Sequence, residues 1–356
     1  MFVLDSHCDT PSQILRLRDL SKDNHHSHVD FPKLRRGGVD GAFFALYIPA
    51  SMDSDPEAAM SYAEKLISAV YSATEENKNM AAITCSAAQA YDNKDNGLFS
   101  VFLGLENGSP VGRSIDRIGW FYDKGVRYMT LCHSGNNEIC DSCATEIKRW
   151  NGLSPFGKEV VAEMNRLGML IDVSHISDAS FYDVLRYSAK PVVATHSCCR
   201  ALSDHPRNMT DDMIRALAAQ GGVIQINFYP VFLDSSFSGY LSEHLDLKRG
   251  EAIENEFIAC PSDSLKRTAW NSFQDEIIAL KRPSYKLIAD HIDHVVELVG
   301  IDHVGIGSDY DGIEVTPDGM EDISMMPVLF HELRGRGYSE DDISKIAGAN
   351  FLKLLC

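Results

Sequence analysis

Eight short apolar runs recur along the chain, and their alternation with helical patterns restricts the possible fold more than any other feature. The runs are residues 2–6, 41–47, 101–106, 126–132, 170–174, 192–195, 223–227 and 304–308. They are apolar throughout rather than alternating with polar residues, which is typical of parallel strands covered on both faces. Eight strand–helix units therefore predict an α/β protein with a closed (β/α)8 barrel of the TIM type.

Helical patterns fill most of the intervals between the runs. They cover residues 56–78, 155–167, 178–188, 210–219, 283–298 and 339–347. Residues 81–97 are predicted to hold an extra short strand and a helix, and residues 228–282 form a long insertion between the seventh and eighth runs. Because long segments after barrel strands cover the active face, we expect this insertion to form part of the pocket wall. The prediction is one domain that spans residues 1–356.

The charge, hydropathy and cysteine content of the chain disfavour a nucleic-acid partner, a membrane partner and a complete disulfide framework. The 356 residues carry a formal net charge of −18, which disfavours a nucleic-acid partner because an acidic surface repels phosphate backbones. No stretch reaches the ~20 apolar residues that span a bilayer, and no signal peptide is visible, so we expect a cytoplasmic protein without a membrane partner. Nine cysteines, an odd number, fit poorly with a complete disulfide framework.

Residues with metal-binding side chains follow most of the runs. They are His7 and Asp9 after the first run, Glu106 at the end of the third, and His133, His175, His196 and Asp309 after the fourth, fifth, sixth and eighth. Each residue alone has an ordinary structural explanation, such as a loop cap or a salt bridge. Together they lie at the carboxyl ends of barrel strands, where the active sites of such barrels form, and coincidence is a poor explanation for all seven.

Two other groups of ionisable residues are interpreted as structural. Residues 25–28 contain three histidines in a polar stretch and are predicted to form a solvated loop. Residues 290–294 are predicted to lie on a helix that precedes the eighth run rather than following one. We therefore expect residues 290–294 away from the site, in ordinary surface pairs.

The ligand set exceeds the needs of one tetrahedral zinc with an open position, and it fits two metals that share a carboxylate. Glu106 is the predicted bridge because a carboxylate has two oxygens. His7 and Asp9 would bind one metal, and His175 and His196 the other. We expect two Zn²⁺, or other divalent metals, with a bridging hydroxide formed from a water whose pKa falls to about 7.

The other residues at this rim, the edge of the barrel formed by the carboxyl ends of the strands, are assigned roles in the hydrolysis of a carbonyl compound. Asp309 would take the proton of the attacking water and pass it to the leaving amine. His133 would steady the developing oxyanion. Glu106, as the bridge between the metals, is the third predicted catalytic residue.

Longer motifs extend the pattern beyond the rim. They are Phe31-Pro32-Lys33-Leu34-Arg35-Arg36-Gly37-Gly38-Val39, Gly152-Leu153-Ser154-Pro155-Phe156-Gly157, Met164-Asn165-Arg166-Leu167-Gly168-Met169, His291-Ile292-Asp293-His294 and Gly348-Ala349-Asn350-Phe351. With these motifs the chain resembles, over nearly its whole length, the membrane (renal) dipeptidases, zinc peptidases of the amidohydrolase superfamily. Matches of this extent are highly specific.

The resemblance implies a dipeptidase that tolerates a D-residue at the C-terminal position of its substrate. It implies the same five metal ligands, contact of His133 with the substrate and proton handling by Asp309. It also implies that Arg207 binds the terminal carboxylate of the dipeptide, as a guanidinium does through two parallel hydrogen bonds. From sequence alone, Arg207 would be interpreted as a surface residue. Relatives are often dimers, which leaves a homodimer open.

Some features of the relatives are not expected here. We expect neither the secretion leader nor the lipid-anchor tail of the mammalian members, and residues 134–139 differ from the corresponding loop expected in relatives. The alternative function is another binuclear metal amidohydrolase, acting on a small cyclic amide or lactone. The acidic charge argues against a metal-dependent nuclease. The retention of every predicted ligand argues against a non-enzymatic metal-binding scaffold.

Overall fold

The computed structural model describes residues 1–355, and its strands form one parallel sheet that curls into a barrel. The strands are β1 (Leu4–Cys8), β2 (Gly41–Tyr47), β3 (Ala81–Ile83), β4 (Phe99–Glu106), β5 (Val126–Thr130), β6 (Leu170–Asp172), β7 (Val193–Ser197), β8 (Val223–Ile226) and β9 (Val304–Ile306). Around the barrel the order is β1-β2-β4-β5-β6-β7-β8-β9, while β3 pairs with β4 off this path. The eight predicted runs are thus the eight barrel strands.

The barrel closes between its first and last strands. The backbone N–H of Asp309 donates to the carbonyl of His7 at 3.0 Å, and that of Asp9 donates to the carbonyl of Tyr310 at 2.8 Å. The N–H of Ser308 also donates to Oδ1 of the buried Asp5 at 2.9 Å, across 303 positions of sequence. This closure confirms the predicted (β/α)8 barrel.

Helices cover the outside of the barrel and its carboxyl-terminal face. They are α1 (Thr10–Leu15), α2 (Phe31–Arg36), α3 (Pro56–Glu76), α4 (Ala87–Asp95), α5 (Asp116–Asp123), α6 (Pro155–Leu167), α7 (Asp178–Tyr187), α8 (Asp211–Ala219), α9 (Pro230–Leu233), α10 (Phe237–His244), α11 (Leu247–Ala259), α12 (Ser264–Ile278), α13 (Lys286–Val299), α14 (Met326–Gly335), α15 (Glu340–Ser344) and α16 (Asn350–Leu352). The predicted extra strand and helix within residues 81–97 are β3 and α4.

Local sequence signals explain where several helices begin and end. Helix α6 has its predicted bounds because the Ser154 hydroxyl accepts from the N–H of Gly157 at 2.8 Å, and Gly168 ends the helix with a φ of 80°. Two predicted helix boundaries were wrong by three residues, and the others by two or fewer. Helix α13 starts at Lys286 rather than at residue 283, because the N–H of Tyr285 donates to the carbonyl of Asp318. The predicted helix 339–347 ends at Ser344 and continues as a π turn.

The barrel interior below the rim is filled by a buried cluster of side chains. Phe43 lies at its centre, with ring centroids 4.8 Å from Phe102, 5.0 Å from Tyr128 and 5.3 Å from Phe351. Aromatic rings of this size bury a large apolar area at low cost in side-chain entropy. The cluster also fixes the ring of Tyr128, whose hydroxyl reaches the rim.

Between β8 and β9 the chain forms helices α9 to α12, which carry a small apolar core of their own. Its members include Phe237, Leu241, Phe273 and Ile277. Two ion pairs tie this insertion to the N-terminal segment. Arg16 Nη1 lies 2.8 Å from Glu254 Oε1, and His26 Nε2 lies 2.9 Å from Asp275 Oδ1. The insertion is thereby attached beside the carboxyl end of β1.

The structural interpretation of two histidine groups is corrected in part. His28 does not lie in a solvated loop: its side chain is 18% exposed, and Nδ1 accepts from the N–H of Asp311 at 3.0 Å. In the second group Asp290, Asp293 and His294 form surface ion pairs as predicted. His291 is instead buried, because it faces the barrel from α13.

The eight cysteines among residues 1–355 are all free thiols. In the same part of the chain, every helix is too short or too polar to cross a bilayer.

Candidate metal centre

The centre begins at the end of β1, where His7 and Asp9 point to the same side of an extended chain. Nε2 of His7 lies 3.4 Å from Oδ2 of Asp9. Both residues are buried, as is Glu106 at the end of β4. Side chains at positions i and i+2 of a strand share a face, which explains the pairing of the imidazole and the carboxylate.

Glu106 lies between two sets of side chains, and each of its carboxylate oxygens faces one set. Oε1 lies 3.1 Å from Nε2 of His175 and 3.5 Å from Nε2 of His196. Oε2 lies 3.5 Å from Nε2 of His7. The two histidine nitrogens that face Oε1 are 2.8 Å apart. The structure therefore brings all five predicted ligands together.

The spacing and chemistry of these side chains fit divalent cations. Two ligands bound about 2.1 Å from one tetrahedral ion lie roughly 3.4 Å apart, close to the distances of 3.1–3.5 Å between Glu106 and the three histidines. His7 Nε2 and Asp9 Oδ1 are buried and have no hydrogen-bond partner within residues 1–355. An unpaired buried polar atom costs about 1–3 kcal/mol, which binding of a cation would offset. Imidazole nitrogen and carboxylate oxygen are also ligand types that suit zinc.

The histidine on the far side of Glu106 adopts an unusual backbone conformation. His175 has a φ of 69°, in the left-handed region that residues with a Cβ seldom adopt. Asp309 and Asp311, on the segment after β9, have φ values of 64° and 67°. Left-handed residues other than glycine concentrate at functional sites, where the surrounding fold enforces them. Their presence at two strand ends supports the location of the site.

His7 is oriented by the hydroxyl of Tyr128, which lies 2.8 Å from Nδ1. A neutral histidine that binds a metal through Nε2 carries its proton on Nδ1, so the N–H donates to the tyrosine oxygen. Gly104 leaves room for this ring, since a Cβ there would lie 2.1 Å from a ring atom of Tyr128. This contact fixes both the tautomer and the direction of His7.

His196 is oriented in the same way by a chain of hydrogen bonds. Its Nδ1 lies 2.8 Å from the Thr195 hydroxyl, which in turn donates to Oδ2 of Asp172 at 2.8 Å. Asp172 also accepts from the Thr130 hydroxyl at 2.5 Å. Because the Thr195 proton is directed at Asp172, its oxygen accepts from Nδ1–H of His196. This leaves Nε2 of His196 free to act as a ligand.

Without a cation, the electrostatics of the centre favour the ligand form of His175, His196 and Glu106, but not that of His7 and Asp9. Burial and the charge of Glu106 raise the pKa of Asp9 well above its usual range, and the charge of Glu106 keeps the pKa of His7 well above its usual range despite burial. Burial lowers the pKa of His175 well below its usual range, and the positive charge of Arg207 lowers it further. Burial lowers the pKa of His196 as well. Burial would raise the pKa of Glu106, but the charge of His7 and hydrogen bonds from the other two histidines keep that pKa well below its ordinary value. Neutral imidazoles and an ionised carboxylate bind metals.

The two predicted catalytic residues other than Glu106 border the same space. Nε2 of His133 lies 3.8 Å from Oε1 of Glu106, and burial lowers the pKa of this histidine. Oδ1 of Asp309 lies 3.9 Å from Nε2 of His7. Its other oxygen accepts a hydrogen bond from Nδ2 of Asn227 at 2.8 Å. Both residues thus face the metal ligands from opposite sides of the barrel.

A cavity of about 430 Å³ opens above these residues, and Arg207 contributes to its wall. The expectation from sequence alone that Arg207 is a surface residue was wrong, since the residue is only 8% exposed. Nη2 of Arg207 donates to the carbonyl of His196 at 2.8 Å, while Nε is buried without a partner in the described chain. The guanidinium therefore retains donors for an anion. The insertion reaches the cavity through Tyr229, Phe232 and Glu254.

The sequence patterns did not indicate the residues that orient the proposed ligands or complete the cavity wall. Tyr128 and Asp172 were hidden inside apolar runs, although a charged residue in a buried strand is a usable signal. Asn227 ends the seventh run, and its position at a strand end could have identified it. Arg16, Glu254 and Glu314 line the cavity but follow no strand end directly, so no local pattern indicated them.

Comparison with known proteins identifies a family and several proteins that this chain resembles. Residues 1–356 match the family model of the membrane dipeptidases, peptidase family M19. Dipeptidase aclJ of Aspergillus oryzae is 32% identical over 351 residues, which cover 97% of this chain and 73% of that protein. The crystal structure of the probable dipeptidase PvdM from Pseudomonas aeruginosa is 26% identical, has a TM-score of 0.83, and is matched over 100% of this chain and 94% of that one.

A third relative was crystallised with a ligand. The metallo peptidase from Rhodobacter sphaeroides, liganded with a phosphinate mimic of the dipeptide L-Ala-D-Ala, has a TM-score of 0.80 with 24% identity, over 100% of this chain and 98% of that one. At this identity the likeness shows the fold alone. The match over the whole sequence agrees with the resemblance predicted from the motifs, and the family is metal-dependent. The chain therefore belongs to the membrane dipeptidase family, peptidase family M19, and is a metallo-dipeptidase.

Proposed function

We propose that the protein hydrolyses the peptide bond of dipeptides with two Zn²⁺ in the centre, and that it accepts a D-residue at the C-terminal position. The observation that carries the proposal is Glu106, whose Oε2 faces His7 and whose Oε1 faces His175 and His196. His7 and Asp9 would hold one ion, and His175 and His196 the other. Bound cations of this kind supply an acidified water and polarise a carbonyl oxygen.

Arg207 fixes the orientation of the dipeptide in this proposal. Arg207 lines the cavity, and its Nε has no partner among the described residues, so the guanidinium suits a carboxylate, which it binds through parallel hydrogen bonds. The C-terminal carboxylate of the substrate would lie there. A neutral lactone or cyclic amide offers no such anion, so this residue favours dipeptides over the alternative substrates.

His133 and Asp309 act on opposite sides of the scissile bond. Neutral His133, held at the cavity wall beside Tyr47, donates a hydrogen bond to the oxygen of the tetrahedral intermediate. Asp309 accepts the proton of the attacking water at Oδ1, because Oδ2 is occupied by Asn227. It then passes that proton to the leaving nitrogen, so the amine departs neutral.

The substrate class is supported by the relatives. The Rhodobacter sphaeroides protein was crystallised with a mimic of L-Ala-D-Ala, a dipeptide with a D-residue at its C-terminus. The proposed location is the cytoplasm, in keeping with eight unpaired cysteine thiols. Exclusion of nucleic acid is supported by the net charge of −18.

The test is a substrate panel assayed with protein that has been loaded with Zn²⁺. L-Ala-D-Ala, L-Ala-L-Ala, a six-membered cyclic amide and a lactone are compared with and without a chelator. We expect hydrolysis of the dipeptides that the chelator abolishes and added Zn²⁺ restores. The variant Asp309→Asn, purified identically, controls for a contaminating peptidase. Equal dipeptide turnover with and without chelator would contradict the proposal, and hydrolysis of the cyclic compounds alone would favour the alternative.

A further inference from the structure

The cavity above the metal centre has a cationic end and an anionic end, separated by a wall of aromatic rings. The guanidinium of Arg207 lies 5.4 Å from the centroid of the Phe232 ring. That ring lies 4.9 Å from the ring of Tyr229 in an edge-to-face contact. The hydroxyl of Tyr229 faces the carboxylate of Glu314, which lines the cavity on the segment after β9. The wall therefore runs from a positive to a negative side chain.

Glu314 differs from the other carboxylates in the cavity wall because no cation compensates it. Glu254 pairs with Arg16 at 2.8 Å, and Asp311 pairs with Arg18 at 2.6 Å. Asp9, Glu106 and Asp309 belong to the metal centre and its proton path. No lysine, arginine or histidine nitrogen within residues 1–355 forms an ion pair with Glu314 at 4.0 Å or less.

The local environment of Glu314 disfavours an isolated negative charge. Glu314 is an exposed residue at the cavity wall, and the protein around its carboxylate nevertheless raises its pKa. The negative charges of Glu254 and Asp309 raise that pKa further. A cation placed against Glu314 would relieve both effects. The Tyr229 hydroxyl and the residue's own backbone N–H donate to the carboxylate, but neither is charged, so a cationic partner is what the carboxylate lacks.

The position of Glu314 relative to Arg207 indicates which part of a substrate it meets, and this step rests on the proposed function. With the C-terminal carboxylate at Arg207, the C-terminal residue lies between Arg207 and the scissile bond at Asp309. Beyond that bond lies the N-terminal residue. Glu314 lines the cavity at the end of the aromatic wall remote from Arg207, where the N-terminal residue would lie.

We propose that Glu314 selects dipeptides whose N-terminal residue carries a basic side chain, which it binds as an ion pair against the Tyr229 ring. The ammonium or guanidinium would donate to the carboxylate, and the aliphatic part of the side chain would lie along the aromatic wall. The chemical class of the preferred substrate is therefore a lysyl or arginyl dipeptide.

The experiment compares two substrates that differ only in the charged group. L-Lysyl-D-alanine and L-norleucyl-D-alanine have side chains of the same carbon length, and only the first ends in an ammonium. We expect the Zn²⁺-loaded protein to show a kcat/KM for the lysyl substrate about 10-fold or more above that for norleucyl, as is typical of a charge-assisted contact. In Glu314→Gln the ratio should fall to about 1.

Two further variants separate recognition from other effects. Glu256→Gln removes an exposed charge from the insertion helix α11, away from the cavity wall, and should leave the ratio unchanged. Glu314→Lys should reverse the preference, so that L-glutamyl-D-alanine is favoured over L-glutaminyl-D-alanine. A merely structural role for Glu314 would not produce this reversal.

The outcomes are distinct. A wild-type ratio near 1, or a loss in Glu314→Gln that is equal for both substrates, would overturn the inference and leave the proposed dipeptidase mechanism intact. An equal loss would mean that Glu314 binds the α-ammonium shared by all dipeptides. Failure of the metal-loaded protein to hydrolyse either dipeptide would overturn the proposed function and this inference with it.

Discussion

Asn227 donates from Nδ2 to Oδ2 of Asp309 at 2.8 Å, and this bond directs the other oxygen of the carboxylate toward the metal ligands. The two residues come from neighbouring strands, since Asn227 follows β8 and Asp309 follows β9. Oδ1 of Asp309 lies 3.9 Å from His7 as a result. The proposed proton carrier is therefore held in one orientation by a neutral partner.

The substitution Asn227→Asp tests this relationship. It keeps an oxygen that can accept from the N–H of Tyr229, but it replaces the donor to Asp309 by a repelling charge. We expect kcat for L-Ala-D-Ala to fall about 10- to 100-fold, with KM changed less than about 3-fold, because positioning and not binding is lost. Asp309→Asn should lose about 100-fold or more. An unchanged kcat in Asn227→Asp would contradict the positioning role.

Replacement of Arg207 should affect substrate binding more than turnover. For Arg207→Ala we expect KM for dipeptides to rise about 10- to 100-fold, the range for loss of a charged hydrogen-bonding partner, with a smaller change in kcat. The matched control is a dipeptide amide, which lacks the carboxylate. Wild type should discriminate against the amide and the variant should not. If the variant still prefers the free carboxylate, another residue binds it.

Metal content should depend on the shared carboxylate. We expect two Zn²⁺ per chain by elemental analysis of the loaded protein, and less than one in Glu106→Ala, because both ions would lose a ligand. His175→Ala should retain about one. A chelator should also lower the Tm, since a ligand that binds only the folded state stabilises it by mass action. Two ions bound to Glu106→Ala would argue against the bridge.

Tyr128→Phe removes the oxygen that Nδ1 of His7 contacts at 2.8 Å. We expect Zn²⁺ affinity to fall about 10-fold in competition with a chelating dye, the lower end of the range for such supporting contacts. Because the ring remains in the aromatic cluster, the Tm of the metal-free protein should change little. Tyr182→Phe, at a residue that is 48% exposed, is the matched control. Equal Zn²⁺ affinities for Tyr128→Phe and Tyr182→Phe would show that the Tyr128 hydroxyl does not support metal binding.

His291 should make stability depend on pH. Nδ1 accepts from the N–H of Cys199 at 3.0 Å, Nε2 lies 3.2 Å from the carbonyl of Leu233, and burial lowers the pKa of the ring from 6.5 to about 4. Between these values the unfolded chain binds a proton and the folded chain does not. The free energy of unfolding is therefore highest above pH 6.5 and falls as the pH drops toward 4, by up to roughly 3 kcal/mol.

Urea unfolding at about pH 7 and about pH 5 measures this dependence. We expect the midpoint of wild type to drop more between the two conditions than that of His291→Gln, which cannot titrate. His244→Gln, at an exposed position on α10, should drop as much as wild type. A drop in His291→Gln equal to that of wild type would show that other groups cause the acid sensitivity.

The barrel and the convergence of the proposed ligands were predictable because both depend on short-range patterns. Buried parallel strands are apolar throughout, and a polar residue at the end of such a strand can point only toward the rim. His7, Glu106 and His196 were found in this way. The start of α13 and the end of α15 were not predictable from the sequence. A backbone hydrogen bond from Tyr285 to a distant segment sets the start of α13, and a π turn sets the end of α15.

The residues that the sequence did not disclose depend on contacts between distant segments. Arg207 enters the cavity because the Ser197 hydroxyl donates to its carbonyl and folds the loop back on β7. Tyr128 differs from an ordinary core tyrosine only by the histidine above its hydroxyl. The other ionisable residues within positions 290–294 form surface ion pairs, and His291 itself is buried only because α13 packs on the barrel. No window of sequence contains such information.

The closure of the barrel between Asp5 and Ser308 has a consequence for biosynthesis. These residues are 303 positions apart, and the segment that carries Asp309 is needed both to seal the ring and to complete the site. During translation, β1 to β8 leave the ribosome without the last strand. A nascent chain that ends before β9 carries all five proposed ligands but lacks Asp309 and the closing strand, so we expect enzymatic competence only when synthesis is almost finished.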